Sequence, residues 1–199
     1  MDWDVLLSTF GLLFLAELGD KTQLAVIAQV CRYGRPWAVF LGASLALTGV
    51  TALGAVAGQL VGGLVSGEWV RYLAAGGFLA MGVFLLWEMR AGWRAEDEAC
   101  PAGDAPADTP IWRIFGSTFI LLALAEMGDK TQLAVFVRAS ETQKPWAVFG
   151  GAVLAMVGLT ALGVAGGQGL VRLLPERYLR WLSALAFAVM GVLIGVGVL

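Results

Sequence analysis

Six long apolar runs, most of them separated by short polar or Gly/Pro breaks, fill the 199-residue chain. A helix needs about 20 apolar residues to cross a bilayer, so six crossings take about 120 residues. Hydrophobic residues make up 59% of the chain and charged residues 14%, against about 25% charged in a soluble domain. The runs lie approximately at 5–31, 37–65, 70–90, 112–137, 146–174 and 178–199. We therefore predict an all-α polytopic membrane protein with six transmembrane helices.

Helices are favoured over barrel strands because the runs are long and show no alternation of period two. Every tryptophan falls at or near an end of a predicted helix, as in the aromatic belts of membrane proteins. These residues are Trp3, Trp37, Trp69, Trp87, Trp93, Trp112, Trp146 and Trp181.

Residues 91–111 form the single long polar connector, rich in Asp, Glu, Pro, Gly and Ala. We expect a flexible acidic linker between two units, 1–90 and 112–199. Most basic residues fall on the linker side of the predicted helices, which places the linker in the cytoplasm and both termini outside. On that side are Arg32, Arg35, Arg90, Arg94, Arg113, Arg172, Arg177 and Arg180, against Arg71, Arg138 and Lys144 on the other.

Composition also excludes several functions. The net charge is −2 and no basic stripe is present, so nucleic-acid binding has no electrostatic support. The chain contains no histidine, and its two cysteines follow no metal-ligand spacing, which argues against zinc chemistry. The opening Met1-Asp2-Trp3-Asp4 lacks the positive leading segment of a secretory signal, so we expect the first helix to be retained.

The chain is internally duplicated at an offset of 109 positions. Residues 17–26 match residues 126–135, Pro36–Phe40 repeats as Pro145–Phe149, and about half the positions between 17 and 83 equal their partners. Each copy holds three predicted crossings, an odd number, so the copies must have inverted orientations. Inverted repeats are typical of transporters, with substrate bound near the midplane. The alternative is a duplication that only supplies a stable symmetric bundle.

Each copy carries a charged motif within an apolar run. Its members are Glu17, Asp20 and Lys21 in the first copy and Glu126, Asp129 and Lys130 in the second. A charge at a helix centre costs about 2.5–3.5 kcal/mol, so an ionisable residue there indicates function. Spacing of i, i+3 and i+4 predicts that each trio shares one helix face. We expect the two faces to meet and gather four carboxylates around one cavity.

Neighbouring polar residues extend this candidate site. Thr22, Thr131, Gln23 and Gln132 supply neutral oxygens beside the acids. Thr51, Thr160, Gln59 and Gln168 either support the site or only join helices by hydrogen bonds. Gly19 and Gly128 either allow tight packing or let the helix unwind and free its carbonyl groups. Met127 lies beside Glu126 and is interpreted as packing.

Oxygen ligands alone select hard cations such as Ca²⁺, Mn²⁺ or Mg²⁺. Four ionised carboxylates and two protonated lysines sum to −2, which one divalent cation or two protons would neutralise. Binding of metal and of protons would then be mutually exclusive, the condition for antiport. No prosthetic group is expected.

Two copies of Glu-x-Gly-Asp-Lys-Thr, one per three-helix repeat on either side of an acidic loop, resemble the cation/proton antiporter family of Golgi transmembrane protein 165 and bacterial manganese exporters. The resemblance covers nearly the whole chain. It implies exchange of Mn²⁺, and in many members Ca²⁺, against protons. It also implies cation binding by the motif acids, here Glu17, Asp20, Glu126 and Asp129. The short chain resembles prokaryotic members, which implies a manganese exporter of the cell membrane; a homo-oligomer is compatible with the sequence.

Other functions are alternatives to this one. A cation channel would use the same acids but needs several weak sites. An intramembrane enzyme, such as a lipid-phosphate hydrolase, would need a nucleophile or phosphate-binding arginines inside the membrane, and none of the arginines lies beside the motifs. Gly-Asp-Lys-Thr lacks the upstream glycine spacing of a phosphate-binding loop. Export of an organic amine through an acidic cavity is a further alternative. We therefore expect a transporter and no enzymatic activity.

Overall fold

Eight α-helices make up the computed structural model, which describes residues 2–64, 67–90, 109–173 and 176–196. No strand occurs in these ranges, so the all-α prediction is confirmed. The helices are α1 (Trp3–Glu17), α2 (Lys21–Tyr33), α3 (Pro36–Leu64), α4 (Gly67–Arg90), α5 (Ile111–Glu126), α6 (Lys130–Thr142), α7 (Pro145–Leu173) and α8 (Glu176–Val196).

The predicted breaks before the two long helices are confirmed. Helix α2 ends where Gly34 adopts a left-handed φ of 60° and its amide donates to the carbonyl of Val30. Helix α6 ends in the same way at Gln143, with a φ of 53°. A left-handed residue of this kind terminates many helices, and the proline that begins the next helix, Pro36 or Pro145, suits a first helical position.

The first and fourth apolar runs are each broken in the middle, so the prediction of one continuous helix for each is wrong. Helix α1 ends at Glu17 and α2 begins at Lys21, because Leu18 is extended and Gly19 has a φ of 79°. Met127 and Gly128, with a φ of 85°, repeat this geometry between α5 and α6. Only glycine adopts such angles at little cost, so Gly19 and Gly128 unwind the helix as well as separating the acids.

Length and apolar content identify fewer crossings than the six predicted. Among the described residues, Pro36–Leu64 and Pro145–Gly166 are each long and apolar enough to cross a bilayer. Helices α5 and α6 together would form a third crossing, bent by 66° at the break. The charged motif is what divides the first and fourth runs into helices shorter than a bilayer crossing.

Helix packing follows the duplication. Helix α1 packs on α7 as α5 packs on α3, and α2 packs on α7 as α6 packs on α3. The pairs α3 with α7 and α4 with α8 join equivalent helices. Gly42 of α3 brings its backbone against Phe115, and Gly151 of α7 does the same against Leu6, the equivalent residue of α1. Such reciprocal contacts are those of a pseudo-twofold arrangement.

The outer surface is apolar. Seven of the eight tryptophans have described side chains, and these are 52–84% exposed. Large exposed apolar areas are unfavourable in water but suit contact with lipid. Beyond the helix ends, Lys144 donates to Asp2 at 2.7 Å, which keeps the pKa of Asp2 below its usual value and joins the starts of α1 and α7.

The predicted linker falls largely outside the described residues, because positions 91–108 are not among them. Its flexibility, the unit boundaries at 90 and 112, and the orientation inferred from the arginines therefore stay predictions.

Candidate functional site

The four motif acids lie at the two helix breaks. Glu17 and Glu126 are the last residues of α1 and α5, and each is only 2% exposed. Asp20 and Asp129 are the N-caps of α2 and α6. The prediction that Glu17, Asp20 and Lys21 share one face of a single helix is wrong, because the chain leaves the helix between Glu17 and Asp20. The acids instead stand beside free helix ends.

The two breaks contact each other across the repeats. The Thr22 hydroxyl of α2 donates to Glu126, and the Thr131 hydroxyl of α6 donates to Glu17. Both threonines were predicted to supply neutral oxygens near the acids. Each buried glutamate thus depends on the opposite repeat for a hydrogen-bond donor, so neither repeat completes this arrangement alone.

Lys130, at the break between α5 and α6, forms ion pairs with acids at the break between α1 and α2. Its ammonium Nζ lies 2.9 Å from Asp20 Oδ2 and 3.6 Å from Glu17 Oε1, and it donates to the carbonyl of Ala16 at 3.1 Å. The residue is 8% exposed. A buried ammonium needs such partners, because an unpaired charge in an apolar interior is strongly unfavourable.

The equivalent residues of the other half behave differently. Lys21 is exposed and makes no ion pair with any described residue. Asp129 accepts from the backbone amide of Lys130 at 2.7 Å and so caps α6, whereas Asp20 makes no side-chain cap on α2. The duplicated motifs therefore have one lysine buried and one exposed.

Gln23 and Gln132 have a role that their spacing did not predict. Gln23 accepts from the amide of Gly19 at 2.8 Å, and Gln132 accepts from the amide of Gly128 at 2.7 Å. Unwinding leaves these amides without a helical partner, and the glutamine oxygens satisfy them. The two glutamines thus stabilise the breaks.

A small cavity of about 10 Å³ adjoins Glu17. This volume is close to the minimum that holds one water molecule. Polar lining comes from Glu17, Thr22, Gln23 and Thr160, and the rest is apolar. Glu17 Oε2 is buried and has no hydrogen-bond partner. An orphaned carboxylate oxygen beside a cavity of this size is suited to a proton or a small dehydrated ion.

The other predicted residues differ in exposure where the structure describes them. Gln59 is exposed on α3, and the side chain of Gln168 lies outside the described residues. Thr51 is buried on α3. Met127 is 61% exposed and so points away from the acids. Within the described ranges, no three Asp, Glu, Cys or His side chains lie close enough together to hold a metal ion between them.

The sequence reading missed a buried ion pair in α6. Arg138 is 1% exposed, pairs with Glu141 at 3.1 Å and donates to Ser8 of α1 at 2.9 Å. The predicted orientation treats Arg138 as a charge that flanks a helix. The duplication contains a signal for this pair. The position equivalent to Arg138 in the first copy is Gln29, so the charge of Arg138 is not shared by the two copies.

These features define a class: a helical membrane protein whose two broken helices bring buried acids of both repeats together. Its family is shown by comparison. Residues 5–93 and 114–198 match the family model described as the divalent cation/proton antiporter GDT1. The chain belongs to this family, which confirms the resemblance carried by the Glu-x-Gly-Asp-Lys-Thr motifs.

Individual relatives span most of the chain. A GDT1-like protein of Synechocystis is 29% identical, covering 90% of this chain and 91% of its own. GDT1-like protein 5 of Arabidopsis thaliana is 26% identical, covering 92% of each. A Vibrio cholerae protein named "Putative manganese exporter" is 29% identical over 75% of this chain and 71% of its own. No solved structure matches the chain.

Proposed function

We propose that this chain exports Mn²⁺, with Ca²⁺ as a second substrate, from the cytoplasm in exchange for protons. Family membership supports exchange of a divalent cation against protons. The name of the Vibrio cholerae relative supports manganese. The observation that carries the proposal is Glu17, whose buried Oε2 has no hydrogen-bond partner and whose side chain lines a small cavity together with Thr22 of its own motif and Thr160 of the second repeat.

The cation site consists of Glu17, Asp20, Glu126 and Asp129. Their carboxylates, with the hydroxyls of threonines 22 and 131, offer only oxygen ligands, the set preferred by Mn²⁺ and Ca²⁺. The structure represents a state in which the acids are shared among threonine, lysine and backbone partners. Cation binding then requires the acids to exchange those partners for the metal.

Competition between metal and protons couples the two fluxes. The four carboxylates together with the buried Lys130 carry an excess of negative charge, and one divalent cation or two protons reduce that excess by the same amount. A buried site that holds both at once would carry excess charge at a large cost. Metal leaving on one side is therefore replaced by protons, and the exchange ratio is one Mn²⁺ for two protons.

We further propose six crossings in two inverted repeats. On this reading the pairs α1 with α2 and α5 with α6 each cross once as broken helices, and α3, α4, α7 and α8 cross singly. Broken helices are common at the ion sites of transporters, because their free ends offer partial charges to a substrate. We place the acidic linker in the cytoplasm and both termini outside the cell membrane.

Flux in liposomes tests the proposal. With Mn²⁺ trapped inside and an inwardly directed proton gradient, we expect Mn²⁺ efflux that rises with the gradient and moves protons the other way. The matched control is the Glu17→Gln, Glu126→Gln double variant, which should carry neither flux. Metal efflux that is unaffected by the gradient would contradict antiport and indicate a channel.

A further inference from the structure

We infer that the Lys130 ammonium is a tethered cation that occupies the Glu17–Asp20 half of the site and must be displaced before a divalent cation binds there. The inference rests on the proposed cation site and names a residue that regulates it. It assigns Lys130, a residue outside the set of acidic ligands, control over metal affinity.

The contacts of Lys130 are those expected of a substitute cation. Its Nζ has three oxygen neighbours: a carboxylate oxygen from each of Asp20 and Glu17, and the carbonyl of Ala16. This carbonyl lies in the last turn of α1, one residue before the helix ends at Glu17. Two carboxylates and a backbone carbonyl are also the ligands that a hard divalent cation selects.

Lys130 reaches these oxygens from the opposite repeat. It is the first residue of α6, while all three oxygen partners lie at the end of α1 or the start of α2. Occupation of this half by the ammonium therefore connects the two repeats. A metal that takes the same oxygens must release Lys130, which makes binding and movement of one repeat against the other interdependent.

Lys21 offers an internal comparison. It has the same motif and the same neighbours in sequence, yet it is exposed and pairs with no described residue. If only net charge near the site mattered, removing either lysine would raise metal affinity to a similar extent. If occupation of the oxygens matters, only removal of Lys130 would do so.

The test measures Mn²⁺ affinity of the full chain in detergent. We expect Lys130→Gln to bind Mn²⁺ about tenfold more tightly than wild type, and Lys130→Arg, which keeps the charge, to change affinity little. Lys21→Gln should remain within about threefold of wild type. In an Asp20→Asn background, Lys130→Gln should lose most of its effect, because the main partner of the ammonium is gone.

Unchanged or weaker affinity in Lys130→Gln, or equal effects of the two lysine substitutions, would overturn the inference. Failure of wild type itself to bind Mn²⁺ would instead overturn the proposed function.

A second measurement needs no variant. The chain has three lysines, Lys21, Lys130 and Lys144, so an amine-reactive reagent followed by mass spectrometry resolves each one. Without metal, Lys21 and Lys144 should react readily and Lys130 should be protected. Saturating Mn²⁺ should increase modification of Lys130 severalfold and leave Lys144 unchanged. Protection of Lys130 that persists in Mn²⁺ would contradict the displacement.

Discussion

Each buried glutamate of the two breaks depends on a threonine of the other repeat. Glu17 accepts from Thr131 and Glu126 accepts from Thr22. A buried carboxylate is stable only where donors and counter-charges compensate its lost hydration. The residues that make the site chemically reactive are therefore also residues that hold the two repeats together.

Glu17→Gln and Glu126→Gln should each lower Mn²⁺ exchange about 100-fold. Glutamine keeps the size and an oxygen for the threonine, but it carries neither the charge for the cation nor an exchangeable carboxyl proton; loss of about 3 kcal/mol of charged contact corresponds to such a factor. Liposome flux measures the loss, and circular dichroism checks that the helices persist. Gln59→Ala, at an exposed position of α3, is the control and should transport normally. Exchange near the wild-type rate in both variants would remove the glutamates from the site.

The aspartates should differ in their effect on stability. Asp20→Asn removes the nearer of the two ion-pair partners of Lys130, at a cost of about 2 kcal/mol. Asp129→Asn keeps a good N-cap residue on α6 and should cost much less. Thermal unfolding in detergent at neutral pH compares them. Equal destabilisation would contradict the different environments of the two aspartates.

The pair of helix breaks determines how the helices present the acids. A φ of 79° at Gly19 and 85° at Gly128 turns each apolar run into two helices. The breaks free backbone groups beside the acids, and Gln23 and Gln132 satisfy the amides of those glycines. The breaks are therefore specific structural features that both copies of the duplication share.

Gly128→Ala should destabilise the protein by about 1–2 kcal/mol. The added methyl group would meet no atom within 4 Å, so the cost is conformational and arises from the left-handed backbone. Gly116→Ala is the matched control, since Gly116 lies within α5 with equally open space. That substitution should be neutral or stabilise by up to about 1 kcal/mol. Thermal unfolding of both variants measures these changes in stability. An unchanged stability of Gly128→Ala would mean that the break does not need glycine.

Arg138 should stabilise α6 through its ion pair with Glu141 and the contact with α1 through its hydrogen bond to Ser8. Arg138→Gln leaves the half-buried Glu141 without its partner and should cost about 3 kcal/mol. The Arg138→Gln, Glu141→Gln double variant should recover part of that loss, because no unpaired charge remains. Arg113→Gln, at an exposed position of α5, is the control. Additive losses in the double variant would show that the pair is not coupled.

Across the whole molecule, the sequence predicted what the two copies share. The breaks around Gly34 and Gln143, the duplication and the meeting of the two motifs followed from apolar runs and repeated residues. The helix breaks were only one of two readings of Gly19 and Gly128, because a glycine between acids is compatible with packing and with unwinding. The difference in burial between Lys21 and Lys130 could not be predicted, because both lie in the same Glu-x-Gly-Asp-Lys-Thr motif and the motif does not indicate which lysine becomes buried.

Calorimetry of Mn²⁺ binding tests most directly whether the two motifs form one site at which cation and protons compete. In two buffers of different ionisation enthalpy, we predict one Mn²⁺ bound per chain, release of about two protons, and weaker binding as the pH falls. Glu17→Gln and Glu126→Gln should each abolish the whole binding event. Binding without proton release, or two independent sites of which each variant removes one, would contradict the account.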